Sequence, residues 1–255
     1  MTLPTLTRTR LEKAATDTGF DVDLAATGDW LTFASSQAPL KLWLTALGDS
    51  VFLAAFSQSN VLASLVDLGT PFTSPLPAGA VGVRGVTSVE LLYPLLRRAF
   101  TLSRTLPNGL LTEFRKQTHT MPASTEVERL AVQRVGQDLF RAGLVDYWQG
   151  RCAVTGLAVP GLLRASHIKP WADCDTDEER LDVFNGLLLG PNLDAVFDGG
   201  FVTVAEDGEV VVSELLSVDD RAVLGLDRPL RVRGLKPEHL GYLRWHGERV
   251  WERWR

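Results

Sequence analysis

Cysteine is almost missing: Cys152 and Cys174 are the only two in 255 residues. Two thiols are too few for the disulfide framework of small secreted domains and too few for a four-thiolate zinc site. Both are read as reduced thiols, and no structural zinc is expected. Long apolar runs are missing as well. No stretch approaches the roughly 20 uninterrupted apolar residues of a membrane helix, and residues 1–10 lack the apolar run of a signal peptide. The expectation is a cytoplasmic protein with no membrane partner. Internal repeats and low-complexity tracts are also absent. So is any excess of positive charge: the net charge of -5 counts against a simple nucleic-acid binder, which shows a surplus of Lys and Arg.

What is present is an ordinary globular composition, 45% hydrophobic and 22% charged, able to bury a core without staples. The length suits two domains of common size. Charge is unevenly spread. From Arg221 onward nine basic residues face four acidic ones, whereas between Arg151 and Asp220 only four basic residues face a cluster of Asp173, Asp175, Asp177, Glu178, Glu179 and Asp182. That acidic run is read as a solvated loop.

The predicted elements give an α+β protein. Residues 7–16 have helical spacing, and residues 30–35 and 41–57 alternate as strands, with Gly48-Asp49 as a hairpin turn. Residues 71–82 form a Pro/Gly-rich loop, and residues 86–105 return to helical spacing through Leu91, Leu92, Leu95, Leu96 and Phe100. A linker is placed at residues 117–124. This gives an N-terminal mixed α/β domain, 1–121, and a C-terminal domain, 122–255. Thr125 to Glu128 matches a capping box and opens a helix of about twenty residues with Arg134, Gln137 and Arg141 on its polar face. In the N-terminal domain Arg97, Arg98, Arg104, Arg115 and Lys116 form a modest basic stretch. Trp30, Trp43 and Phe56 are read first as sheet core and second as walls of a base-binding pocket. A role in DNA recognition for this domain is an analogy only.

Chemistry concentrates between residues 152 and 207. Hydrolysis of a phosphodiester needs a base for water near neutral pH and a cation against the phosphoryl and leaving oxygens. Ser166-His167-Ile168-Lys169-Pro170 offers a histidine, and Leu193-Asp194-Ala195-Val196-Phe197-Asp198 puts two carboxylates one turn apart on a helix opened by Gly190-Pro191-Asn192. Taken singly, His167 reads as a core histidine, the two aspartates as an exposed pair, and Asn185 of Asn-Gly-Leu-Leu-Leu as a turn residue.

Their order and spacing resemble the HNH endonuclease family, over about 55 residues here. The resemblance implies a ββα-metal fold of two antiparallel strands, a loop and a helix around one ion, with flanking helices. It implies His167 as general base, Asn185 as organiser of the loop that orients it, and Asp194 and Asp198 as metal ligands. The sequence departs from the usual motif, having Asp194 where a histidine is common and Ser166 where a further ligand often precedes the base. A branch resembling restriction endonucleases shares the Leu-Asp-x-x-Phe-Asp pattern, and its lead-in resembles residues 134–156 and its end Leu243-Arg244-Trp245-His246. An all-oxygen ligand pair favours Mg²⁺ or Mn²⁺.

The expected function is therefore a metal-dependent endonuclease on double-stranded DNA, in restriction or defence, with Lys169, Arg164, Arg134 and Arg141 as phosphate contacts. Cutting both strands with one metal site per chain favours a homodimer. The alternatives are a DNA-binding protein with a decayed site and an RNA-directed nuclease.

Overall fold

The computed structural model describes residues 3–48, 50–106 and 109–251. The chain divides into two compact units, Met1–Gly109 and Leu110–Arg255. Among the described residues no helix is long and apolar enough to cross a membrane.

The first unit runs α1 (Thr5–Asp17), β1 (Val22–Thr27), β2 (Trp30–Ala34), β3 (Leu42–Leu47), β4 (Val51–Phe56), α2 (Ser59–Ala63), β5 (Thr70–Pro71), β6 (Gly82–Val86) and α3 (Val89–Thr105). Its strands form one antiparallel sheet in the order β1-β2-β3-β4-β6-β5. Side chains alternate across the pleat, so β3 and β4 send Leu42, Leu44, Phe52, Ala54 and Phe56 one way and Trp43, Leu53 and Ala55 the other. Helices α1 and α3 pack on each other and on the sheet through Leu11, Ala14, Leu92, Leu95, Leu96 and Ala99, all fully buried. The other face carries a cluster of Trp30, Trp43, Leu53, Ala55 and Val83, with Phe72 and Ala80 of the loop before β6 laid against it. Trp43 and Phe56 are thus core residues. Trp30 belongs to the same cluster and also lines a cavity of about 700 Å³ with Thr27, Thr45, Leu53 and Leu76. The β3–β4 pairing extends to Leu47↔Val51; of the Gly48-Asp49 turn, Gly48 has φ +63° and Asp49 lies outside the described residues.

Strands β1 and β6 have no counterpart in the sequence reading. β1 is exposed along its whole length, so it shows no buried alternation. In β6 two of five positions are Gly82 and Gly85, which contribute no side chain to a pattern.

The second unit runs α4 (Gly109–Thr118), α5 (Glu126–Tyr147), β7 (Arg164–His167), α6 (Asp177–Leu181), β8 (Gly186–Leu189), α7 (Pro191–Asp198), β9 (Val202–Val204), β10 (Val210–Val212), α8 (Val218–Leu224) and α9 (Leu240–Arg249). The boundary placed at residue 121 falls between α4 and α5, whereas the compact units divide before Leu110. Phe114 of α4 packs beside Gly136 of α5. The capping box forms: Thr125 Oγ1 accepts from Glu128 N and the Glu128 carboxylate accepts from Thr125 N.

β7 and β8 pair antiparallel, from Arg164↔Leu189 to His167↔Gly186. β8 is buried throughout, with α5 and α7 both packed on the hairpin. The crossing with α5 is close because Gly186 has no side chain. A methyl there would stand 2.6 Å from Phe140 Cζ and 2.7 Å from Leu144 Cδ1. Gly186→Ala is expected to destabilise the protein by about 1–3 kcal/mol through overpacking, read as a lower urea midpoint; an unchanged midpoint would show that Phe140 and Leu144 are free to yield.

α9 and the turn before it close the unit. His239 is fully buried among Tyr147, Trp148 and Phe184, and its Nδ1 accepts from Lys236 N at 3.0 Å. Burial pushes its pKa down to about 4, and that of the buried His246 likewise. The unfolded chain binds protons at these rings from about pH 6.5, so each contributes stability that is complete above that value and lost as pH falls from 6.5 to 4. A loss of about 3 kcal/mol per ring is the scale set by such a shift. Denaturant unfolding at pH 7.5 and 5.0 should show about 2 kcal/mol of this loss per ring, and His239→Leu should shrink it; equal losses in both proteins would contradict the assignment.

Candidate functional site

The hairpin and α7 bring the chemistry together because a strand alternates and a helix repeats every turn. Ser166 and His167 are neighbours on β7 and therefore point to opposite faces. Ser166 faces α7, where its Oγ donates to Asp198 Oδ1 at 3.0 Å. His167 faces α5, where its ring stacks on Phe140 with centroids 3.7 Å apart and planes 15° apart. Trp171 meets the same ring edge-on at 5.6 Å.

The tautomer of His167 follows from its partner. Its Nε2 lies 2.9 Å from the carbonyl oxygen of Arg180. A carbonyl only accepts, so Nε2 carries the hydrogen and donates it. In the neutral ring the lone pair then sits on Nδ1, for which no hydrogen bond is found among the described residues. Burial lowers the pKa to about 4, and the bond to the carbonyl opposes that shift. At neutral pH the ring is uncharged, and Nδ1 can accept a proton.

α7 starts at Gly190-Pro191, with proline in its first turn, where a missing N–H costs nothing. Leu193, Val196 and Phe197 are buried and anchor one face. Asp194 and Asp198 share another. Both carboxyls are pushed above the ordinary range, chiefly by burial; for Asp198 the charge of Asp194 adds to this, while the Ser166 hydroxyl opposes it in both and Arg164 opposes it at Asp194.

Asn185, fully buried, binds the loop between the strands at both ends. Its Oδ1 accepts from Lys169 N at 2.7 Å, and its Nδ2 donates to the carbonyls of Lys169 and Glu179 at 3.1 and 3.0 Å. The residue after Glu179 is Arg180, whose carbonyl holds His167. The Arg180 side chain braces the same loop: its guanidinium donates to the carbonyls of Trp171 and Cys174 and pairs with Asp177.

The four basic residues proposed as phosphate contacts are placed differently from one another. Lys169 is only 8% exposed, and its ammonium is paired with Glu179 at 2.9 Å and Asp175 at 3.2 Å. It is a brace of the loop, and contact with a phosphate would require breaking these pairs. Arg141 donates to the carbonyls of Leu163 and Pro160 at 2.8 and 3.1 Å and is likewise engaged. Arg164 and Arg134 are exposed. The acidic run read as a solvated loop is also corrected in part: Glu179 and Asp175 hold Lys169, and Asp182 is largely enclosed, with its carboxyl raised by burial.

Phe140, Trp171 and the Arg180 carbonyl escape the sequence reading because their contacts with His167 join separate elements. Ser166 is different. Strand alternation beside His167 puts it on the face toward the helix, and that signal is local.

Among the described residues no group of three or more His, Cys, Asp or Glu side chains is arranged to hold a metal ion. The donor set around α7 is two carboxylates and a hydroxyl, all oxygen. The two carboxylates raise each other's cost of ionisation in a partly buried setting. This suits a hard divalent cation that keeps water and substrate oxygens in its shell.

Residues 152–205 match the family described as HNH endonuclease. The match spans β7, β8, α7 and β9 and the loop between the two strands, and so covers Ser166, His167, Asn185, Asp194 and Asp198; it supports nuclease activity on a nucleic acid. No curated protein matches the chain.

Proposed function

We propose that this chain is a metal-dependent DNA endonuclease. The observation that supports it best is the pinned imidazole of His167: Nε2 is committed to the Arg180 carbonyl, and Nδ1 is left to take a proton, on the strand whose preceding residue binds Asp198. Its Nδ1 removes a proton from water as that water attacks phosphorus, and the bond from phosphorus to the 3′ oxygen breaks. The products are 5′-phosphate and 3′-hydroxyl ends. Asp194 and Asp198 would hold Mg²⁺ or Mn²⁺. A divalent cation there supplies charge neutralisation for the phosphoryl and leaving oxygens. Asn185 keeps the loop closed so that the Arg180 carbonyl stays on Nε2. The exposed Arg164 and Arg134 contact phosphates, and double-stranded DNA is the substrate, in a restriction or defence role.

A second reading, DNA binding without cleavage, is favoured by one observation: only two carboxylates, with no third His, Cys, Asp or Glu, are offered to a metal among the described residues. One experiment separates these readings. The full chain is incubated with supercoiled plasmid, phage DNA with modified cytosine, and RNA, in Mg²⁺ or Mn²⁺ and in EDTA. Nicked or linear DNA that EDTA prevents is the expected result. A gel shift without cleavage would favour the binding-only reading, and cleavage of RNA alone would move the substrate to RNA.

A further inference from the structure

Helix α9 contributes no group to the proposed chemistry, yet two of its side chains, one turn apart, reach the two halves of the site. Tyr242 Oη donates to Asp182 Oδ2 at 3.0 Å. The other oxygen of that carboxylate accepts from Phe184 N at 2.9 Å and so caps the 3₁₀ turn Val183–Asn185. That turn delivers Asn185 to its bonds with Lys169 and Glu179, next to the Arg180 carbonyl that fixes His167. The first half is therefore held through Tyr242, Asp182 and Asn185 in series.

His246 reaches the second half. It is 1% exposed, and its ring lies parallel to Phe197 at 4.0 Å and 3°. Nε2 donates to the Phe197 carbonyl at 3.1 Å, which leaves Nδ1 to accept from Thr203 Oγ1 at 3.0 Å. Phe197 is the residue before Asp198, and Thr203 belongs to β9. The end of α7 is thus tied to the sheet behind it through one buried ring.

We infer that α9 is a positioning element: Tyr242 sets the loop that orients His167, His246 sets the end of α7 that carries Asp198, and the helix between them fixes one half relative to the other. The inference rests on the nuclease reading above for the roles of His167 and Asp198. A helix that merely filled space would hold both halves through apolar contact. Here each tie ends on a polar group directly linked to the site, and both donors sit on the same stretch of helix.

The test uses the full chain with Tyr242→Phe, Asp182→Asn and His246→Leu. Three readouts are taken: kcat and KM on plasmid DNA, Mn²⁺ affinity by calorimetry, and the ring ¹⁵N signals of His167. Loss of an outer tie of this kind costs about ten- to a hundredfold in activity or metal affinity. Tyr242→Phe is expected to lower kcat about tenfold at unchanged KM and Mn²⁺ affinity, with the His167 ring signals moving toward a mixture of tautomers. Asp182→Asn keeps an acceptor for Phe184 N and should lose less. His246→Leu is expected to weaken Mn²⁺ binding about tenfold and leave the His167 ring signals in place.

Wild-type values throughout for Tyr242→Phe and His246→Leu would overturn the inference. So would changes that track lost thermal stability equally in all variants, the signature of a structural role alone. If the wild type cuts no nucleic acid, the nuclease reading falls, and the ring signals and Mn²⁺ affinities still decide whether α9 positions the two halves. Wild type that neither cuts nor binds Mn²⁺ would overturn both.

Discussion

His167→Ala is expected to lower kcat for DNA cleavage by about 10²–10⁴-fold, the range a positioned general base contributes, while Mn²⁺ affinity stays within a factor of a few. The separation follows from strand alternation. His167 lies on the α5 face of β7, whereas Ser166 and the two aspartates lie on the α7 face, so removing the ring does not touch the ligands. It does leave the Arg180 carbonyl without its donor and opens a gap on Phe140, at a cost of about 1–3 kcal/mol for the lost bond. His167→Gln controls for this, because its amide can donate to the same carbonyl yet offers no base; activity equally low in both variants would assign the defect to proton transfer. Since burial holds the ring pKa near 4, protonation of His167 should not limit the rate at pH 6, where a free imidazole with a pKa near 6.5 would already be mostly charged. Near-wild-type kcat in His167→Ala would remove this residue from the mechanism.

How much of this site could be read from the sequence depends on the range of each interaction. The pairing of Asp194 with Asp198 is a helix repeat, and Ser166 beside His167 is a strand alternation. Both are local, and a chain with these spacings must place them so once the elements form. Charge is harder to read. Lys169 follows the histidine closely and looks like a phosphate contact, yet it turns inward onto Glu179 and Asp175 because the loop folds back over it. Asp182 looks like one more solvated acid, yet it is enclosed beneath Tyr242, sixty residues onward. A run of acids does not say which of its members will meet a partner from elsewhere in the chain. The first unit shows the same limit in its strands: β3 and β4 alternate visibly, whereas β6 is diluted by glycine and β1, exposed at the sheet edge, has no buried face to mark its period.

Asp198→Asn should separate function from stability in opposite directions. Without its charge the pair loses a ligand, and cleavage is expected to fall by about a thousandfold, equivalent to roughly 4 kcal/mol of transition-state stabilisation. The metal-free protein should nevertheless become more stable at pH 7. The sign follows from the raised carboxyls. A group whose folded pKa lies above its unfolded value contributes stability that is complete below the unfolded value and is lost as pH rises through the folded one. In the metal-free wild type each carboxylate carries its charge at a net cost that comes chiefly from burial and, for Asp198, also from the charge of Asp194. Asparagine removes one charge and keeps an oxygen to accept from Ser166. The metal-free melting temperature should therefore rise by a few degrees at pH 7, and the advantage should shrink as pH falls through the raised range of the pair, where the wild-type carboxylates take up protons. Saturating Mn²⁺ should reverse the order at pH 7, because a ligand bound only by the folded state stabilises it in proportion to its affinity, and the variant has lost most of that affinity. If metal-free Asp198→Asn melts below wild type at pH 7, the strain assigned to the pair is absent, and with it the physical argument that these two aspartates are held in place for a cation.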